Sequence, residues 1–198
     1  MKTLIEDASI KRRETILATA IEVLYESGIQ GLTTKEIAKR EGVSEPAIYR
    51  HFSGKLDIVL SIIDQFGQYD ESIRNTIREQ EMAPLAAIRY FMESYASFYD
   101  SSPQFLTLMF SYDVYRYDPE ASARMGAIMA QRNEFLRGLV ETGQALGEID
   151  GSVPAKAVAH SIMGALLAAA YDPFKDEEDG SLREEVLRTV NWILRKDE

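Results

Sequence analysis

The side chains best suited to chemistry lie in one short segment, TTKEIAKREGVSEPAIYRHFSGK, which spans residues 33–55. Near its end, Ile48 and Phe52 are four residues apart and are expected to face inward on one side of a helix. The other side of that helix then carries Glu45, Pro46, Ala47, Tyr49, Arg50 and His51. Phenol, guanidinium and imidazole groups on a short exposed helix can contact phosphate oxygens and base edges in the major groove of DNA. The pattern predicts a DNA-contacting helix, and a helix-turn-helix corner with no DNA role is the alternative.

Local signals in the same segment predict two helices joined by a tight turn. Thr33 can cap the first helix with its hydroxyl, and Glu36 stands where a capping box places a carboxylate. Gly42 falls at the end of that helix, where glycine adopts a left-handed backbone at little cost. Ser44 is expected to cap the second helix. Pro46 is tolerated within its first turn, because the amide there has no helical acceptor.

The rest of the chain is also predicted to be helical, since apolar residues recur at helical spacing and no segment alternates like a β-strand. The predicted fold class is all-α with about nine helices, an N-terminal three-helix domain with the helix-turn-helix preceding a larger helical domain. The predicted domains are residues 1–55 and 56–198. Residues 153–171 are small and apolar nearly all round, which predicts a buried helix. The predicted helices cover approximately residues 9–27, 33–42, 44–52, 54–80, 85–99, 104–115, 118–146, 153–171 and 182–194.

Charge is unevenly distributed along the chain, whose formal net charge is −10. Residues 1–55 contain nine Lys or Arg and eight Asp or Glu, whereas residues 56–198 contain 13 and 24. Exposed charges are screened beyond roughly 8–10 Å at ordinary salt. An acidic body, residues 56–198, is therefore compatible with a near-neutral head, residues 1–55, that contacts DNA.

Composition also bears on the compartment. The chain has no cysteine, which excludes disulfides and thiolate metal sites and fits a reducing environment. The first residues, MKTLIEDASIKRRE, carry charges where a signal peptide has its apolar core. The longest weakly polar run, residues 161–171, is too short to span a bilayer. These features predict a cytoplasmic protein without a membrane partner.

Catalysis is not predicted. The only histidines are His51 and His160, and a nucleophile–base pair would have to use His160, which lies in a mostly apolar helix. The chain has no glycine-rich phosphate loop and no HExxH motif. The acidic run at 176–179 lacks the alternating spacing of a calcium loop. Neither an enzymatic activity, a cofactor nor a metal site is predicted.

Three pieces of the sequence, TTKEIAKREGVS, AIYRHF and SGKLDIV, carry a family resemblance. Through them, residues 10–63 resemble the N-terminal domain of the TetR family of transcriptional regulators. The resemblance implies a homodimer whose two heads read the half-sites of a palindromic operator in double-stranded DNA. It also implies that residues 56–198 form the dimer and bind a small molecule that releases the DNA, so a repressor is expected.

The resemblance assigns DNA contacts position by position. Phosphate contacts are implied for Thr33, Thr34, Tyr49, His51 and Lys55. Contacts to bases or adjacent phosphates are implied for Ser44, Glu45 and Ala47. Arg50 can reach a guanine edge or a phosphate, and Glu45 can accept from a cytosine amine or only support the helix N-terminus.

Two further features of the head leave alternatives open. Lys11, Arg12 and Arg13 could run beside the DNA backbone or form a solvated helix start. Glu41 departs from the family pattern, which often has a small apolar residue at this position, and is expected at a helix rim.

Residues 85–117 are dense in aromatic and thioether side chains, most of which are expected to form core. The resemblance places a ligand pocket among the helices spanning about 58–140. The candidate ligand-binding residues are Tyr90, Met92, Tyr95, Phe98, Tyr99, Met109, Phe110 and Tyr112. Because Glu93, Asp100 and Asp113 lie in the same segment, a small apolar or cationic effector is predicted. Surface placement of these carboxylates is the alternative.

Two C-terminal helices are candidates for a dimer face. Residues 153–171 contain many alanines and Gly164, so a neighbouring helix can approach closely, and residues 182–194 add Trp192 and several aliphatic side chains. Paired across a two-fold axis they would form a four-helix bundle, or both helices could complete the monomer core. The main rival function is a helical interaction protein that binds a protein partner with weak or architectural DNA affinity. A helical small-molecule carrier is a weaker one.

Overall fold

A computed structural model describes residues 2–103, 105–106, 118–170 and 180–195, with side chains from Ile10 onward. No strand occurs in these ranges, and the predicted all-α class is confirmed. None of the helices within them is both long and apolar enough to cross a bilayer. Eight helices are described: α1 Lys2–Gly31, α2 Thr34–Arg40, α3 Glu45–Tyr49, α4 Lys55–Glu79, α5 Pro84–Ser101, α6 Pro119–Ala145, α7 Ala155–Ala170 and α8 Leu182–Ile193.

Most helices lie within a few residues of their predicted ends. α1 continues to Gly31, but Gly28 has φ 63° and ψ −173°, so the helix is kinked at the glycine that was expected to end it. α3 is shorter than predicted and ends at Tyr49. Most of the helix predicted over 104–115 lies outside the described residues.

The chain packs as two compact units whose boundaries fall inside α4 and α6. The first unit comprises Met1–Gly67 and Gln104–Met125, and the second comprises Gln68–Pro103 and Gly126–Glu198. The division at residue 55 stays a prediction.

An apolar core holds the first unit together. α1 contributes Ile16 and Leu24, and α2 contributes Ile37, none of which has exposed surface. The prediction that Ile48 and Phe52 face inward is confirmed, since both are buried in this core. This burial fixes which side of α3 remains outward.

The second unit buries a charged pair in its core. Asp70 on α4 is 1% exposed and Arg132 on α6 is 0% exposed. Arg132 Nε lies 2.6 Å from Asp70 Oδ2, and its Nη2 lies 2.8 Å from Oδ1, which makes a two-point contact. Tyr95 on α5 donates its hydroxyl to Asp70, and its ring centroid lies 4.4 Å from the Arg132 guanidinium carbon. The cluster therefore joins α4, α5 and α6.

α7 is buried on one side only, which corrects the expectation of burial nearly all round. Ile162 and Leu166 face the core, whereas Gly164 and Ala168 are exposed. The physical reason is that α8 packs against α5 as well as α7 and leaves the outer side of α7 without a neighbour among the described residues. This outer side and α8 line an open groove of about 580 Å³, beside which Trp192 is 69% exposed.

Candidate nucleic-acid interface

The corner between α2 and α3 is set by one side-chain cap and one glycine. Thr33 caps α2 as predicted, its Oγ1 accepting from the Glu36 amide at 3.0 Å. The predicted capping box does not form, because the Glu36 carboxylate accepts from Arg40 Nε at 3.0 Å instead. Gly42 has φ 64°, which confirms the left-handed turn. Ser44 precedes α3 but makes no capping hydrogen bond with its side chain, which corrects the predicted cap.

Replacing Gly42 by Ala should lower the free energy of unfolding by about 1–2 kcal/mol, because an L-residue is strained at this positive φ. A Cβ at Gly42 would meet no atom within 4 Å, so the loss comes from the backbone alone. Urea denaturation measures it. Gly54→Ala is the matched control, since its Cβ also enters open space but its backbone is not left-handed. Equal losses for the two variants would contradict the assignment.

The outward side of α3 is accessible to a partner. Tyr49 is 52% exposed, and Pro46 and Arg50 are also exposed. The Arg50 side chain makes no hydrogen bond or ion pair within the described part of the chain, so its guanidinium is available to a base or a phosphate. Of the other predicted contact residues on or beside α3, Ser44 is exposed, and Glu45, Ala47 and His51 are half-buried.

Three predicted contact residues form a hydrogen-bonded group within the head. Thr34, the first residue of α2, is only 8% exposed. Its Oγ1 lies 2.5 Å from Glu45 Oε1 and 3.3 Å from the Tyr49 hydroxyl. The side chains that resemblance assigns separately to phosphate and base therefore contact one another across the α2–α3 corner.

Two basic side chains tie the helices of the head together. Arg13 on α1 donates to the His51 carbonyl and lies 3.5 Å from Asp57. Lys55 donates its Nζ to the Ile29 carbonyl, and burial lowers the pKa of its ammonium group. These contacts anchor α1 to the end of α3 and the start of α4. The phosphate contact implied for Lys55 stays a prediction.

Glu41 occupies a polar niche that explains its departure from the family pattern. It accepts a hydrogen bond from the Thr19 hydroxyl and pairs with Arg12 at 3.1 Å. Arg12 and Arg13, in the first half of α1, thus pair with the carboxylates of Glu41 and Asp57. Glu41 joins α1 to the C-terminal end of α2.

Few basic side chains of the head remain without a carboxylate partner among the residues described from position 10 onward. They are the exposed Lys11, Lys35 and Arg50 and the half-buried Lys55, which donates to a carbonyl. Lys35 was not among the predicted contacts. The sequence feature that marks Lys35 as a candidate phosphate contact is its position next to Thr33 and Thr34. These residues lie at the N-terminal turn of α2, where phosphates are favoured.

The predicted effector residues of the second unit divide between its core and an open groove. Tyr90 and Phe98 line a groove of about 520 Å³ together with Tyr69, whose pKa is raised to about 12 by burial. Met92, Tyr95 and Tyr99 are buried. Met109, Phe110 and Tyr112 lie outside the described residues. The effector assignment stays a prediction.

The carboxylates near these aromatics already have partners in the second unit. Glu93 accepts from Arg183 Nε at 2.7 Å. Asp100 accepts from the amides of Leu182 and Arg183, each at 3.2 Å, at the start of α8. Asp113 lies outside the described residues. Glu93 and Asp100 therefore hold α8 against α5.

The head, with an exposed helix set by a tight turn onto a packed helical support, has the architecture of a helix-turn-helix domain. Residues 16–62 match the family model described as bacterial regulatory proteins, tetR family. The match places this segment in the TetR family of bacterial regulatory proteins.

Curated relatives match different lengths of the chain. The class C tetracycline repressor of Escherichia coli is 48% identical over 44 residues, which are 22% of this chain and 20% of that protein. The nucleoid occlusion factor SlmA of Vibrio cholerae is 36% identical over 95 residues, 48% of each chain. The transcriptional regulator EthR of Mycolicibacterium smegmatis is 25% identical over 183 residues, 92% of this chain and 83% of that one. The chain thus spans half or less of the first two relatives.

Solved structures show the same fold along most of the chain. PfmR from Thermus thermophilus superposes with a TM-score of 0.77 at 23% identity, covering 92% of this chain and 98% of that one. FadR from Bacillus subtilis, solved in complex with stearoyl-CoA, has a TM-score of 0.75 at 19% identity, covering 91% and 97%. At these identities the likeness establishes the fold.

Proposed function

We propose that this protein is a repressor that binds a palindromic operator as a homodimer and releases it when a small molecule binds the second unit. The observation that carries the proposal is the exposed side of α3, held by the Gly42 turn and the Arg13 and Lys55 contacts. α3 has only five residues, too few to specify a site alone. In a dimer, the second head would read a second half-site of the operator.

The outer groove of α7 and α8 is the proposed dimer face. Gly164 and Ala168 leave the surface of α7 low, so a second helix can approach closely. Trp192 and Ile193 line the same groove and supply apolar surface to bury. An exposed Trp beside a groove of small residues suits a self-complementary two-fold contact, and a second copy of this chain is the proposed occupant.

An apolar effector fits the second unit better than a cationic one. Glu93 and Asp100, the described carboxylates of the aromatic region, are occupied by Arg183 and by backbone amides. Tyr69, Tyr90 and Phe98 leave aromatic surface on an open groove. The stearoyl-CoA bound by FadR makes long-chain acyl-CoA a reasonable first probe. Release of selected DNA by acyl-CoA, and not by lipophilic cations, is the expected result.

Salt-dependent, sequence-specific DNA binding is the primary test. Duplexes selected from a random pool by the full-length protein should bind far more tightly than random duplex, with a steep loss as salt rises. Absence of such a preference would refute operator recognition.

Lys35→Gln should weaken binding equally across sequences, because Lys35 is an unpaired cation at the N-terminal turn of α2. The slope of log K against log salt should become shallower by about 2 for a dimer, one phosphate for each head. Binding titrations at several salt concentrations measure the slope. Lys39→Gln is the matched control on α2, since Lys39 lies 3.8 Å from Glu36 and is partly neutralised. Equal slopes for wild type and Lys35→Gln would remove Lys35 from the interface.

The SlmA match favours a second candidate, a helical protein that binds a protein partner with DNA contact in a secondary role. The match covers 95 residues and extends beyond the family-model region of 16–62. Selected DNA that no small molecule releases, together with monomeric protein in solution, would favour this candidate.

A further inference from the structure

In the hydrogen-bonded group of Thr34, Glu45 and Tyr49, the number of available protons decides which atom donates in each hydrogen bond. An ionised carboxylate only accepts hydrogen bonds, so across the 2.5 Å contact the Thr34 hydroxyl donates to Glu45 Oε1. A threonine hydroxyl has one proton and this bond uses it. Across the 3.3 Å contact with Tyr49, the phenol must therefore donate to Thr34 Oγ1.

Thr34 is poorly placed to act on DNA itself. It is 8% exposed, and its hydroxyl already donates its proton in the hydrogen bond to Glu45. The hydroxyl is instead the centre of a relay from the exposed Tyr49 phenol to the half-buried Glu45 carboxylate. Tyr49 is on the last turn of α3 and Glu45 on its first, so the relay spans the outward side of the helix.

The relay leaves only acceptors directed at a partner. Glu45 Oε2 makes no hydrogen bond within the described ranges, and a carboxylate offers it no proton. The Tyr49 proton is directed at Thr34, so the phenol oxygen presents lone pairs. In the major groove, the groups that donate to such acceptors are the amino groups of cytosine N4 and adenine N6. Phosphate oxygens are acceptors and would be repelled by both groups.

We propose that Thr34 is a positioning residue that fixes Glu45 and Tyr49 as hydrogen-bond acceptors, so that α3 selects base pairs presenting an amino group in the major groove. This inference rests on the proposed operator recognition. It assigns Tyr49 to base selection, where the family resemblance implies a phosphate contact.

The test compares the full-length wild type with Thr34→Val, which keeps the shape but removes the hydroxyl, and Thr34→Ser, which keeps the hydroxyl. Each protein is titrated with wild-type-selected operator and with all single-base changes in one half-site. Wild type should prefer cytosine or adenine by about 5- to 100-fold at one position or more. Thr34→Val should reduce that preference to about 3-fold or less with an unchanged salt slope, and Thr34→Ser should restore it.

Uniform weakening of Thr34→Val at every base position, with no loss of base preference, would overturn the proposal and make Thr34 a phosphate contact. An unchanged base preference in folded Thr34→Val would overturn it as well. Failure of wild type to select any operator would instead overturn the proposed function.

If Thr34→Val does not fold, two variants on the outward side of α3 still test the proposal. Tyr49→Phe should lose base preference at one position, whereas loss of a phosphate contact would weaken binding equally at every position. Glu45→Gln should move the preference toward adenine, since a carboxamide pairs with adenine through two hydrogen bonds. An unchanged preference in both variants would overturn the proposal.

Discussion

Arg132→Met should lower the free energy of unfolding by about 3–5 kcal/mol, because it leaves the Asp70 carboxylate buried without its two-point partner. Asp70 is 1% exposed, so water cannot replace the lost guanidinium. Arg74 is near, but its Nη1 lies 3.9 Å from Asp70 Oδ2, too far for a hydrogen bond. Urea denaturation of the purified variant measures the loss.

Arg124→Met provides the control on the same helix, α6. Arg124 pairs with Asp64 and Glu120, each at 2.7 Å, but all three side chains are largely solvent-accessible, so its removal should change stability by about 1 kcal/mol or less. Adding Asp70→Leu to Arg132→Met should restore much of the lost stability, since neither charge is then buried. A loss for Arg132→Met as small as that for Arg124→Met would contradict the account of the buried pair.

Trp192→Glu should convert the protein to a monomer at micromolar concentration and weaken operator binding by about 100-fold or more. The proposed dimer makes engagement of the second half-site an intramolecular event, and that advantage disappears when the protomers separate. Light scattering with chromatography measures the mass, and titration with selected operator measures the affinity.

Trp192→Phe is the matched control, because it keeps an aromatic ring at the groove and should remain dimeric. The stability of each chain should change little in either variant, since Trp192 is 69% exposed in the single chain. A wild type that is itself monomeric, or a Trp192→Glu variant that stays dimeric, would exclude this groove as the interface.

Apolar periodicity predicted the helices, because burial of one side of each helix is encoded every three or four residues. It did not predict the buried charged pair. A signal was present: Asp70 continues the buried line of Phe66, Ile73 and Ile77 on α4. Arg132 likewise continues the buried line of Met125, Leu136 and Val140 on α6. A charged residue on the apolar side of a helix indicates that it has a buried partner. It does not identify that partner, which here lies 62 residues away in the chain.

The candidate site was predictable as a set of residues but not in its bonding. The hydroxyl of Thr34, the carboxylate of Glu45 and the phenol of Tyr49 suggested separate contacts with DNA. Their mutual hydrogen bonds depend on the crossing of α2 and α3, which helical spacing does not specify. The Glu36 capping box failed for a related reason, since Arg40 competes for the Glu36 carboxylate.

The internal ion pairs of the first unit affect how the proposed repressor would find its operator. Arg12, Arg13, Lys39 and Arg40 are each paired with a carboxylate of the first unit. Because these cations are already paired, binding of the protein to arbitrary DNA would release few counterions. We therefore expect the protein to stay bound to such DNA only briefly. Target location should proceed by repeated dissociation and re-encounter rather than by long one-dimensional sliding. In a cell, most copies between binding events would be free in solution instead of spread over the chromosome.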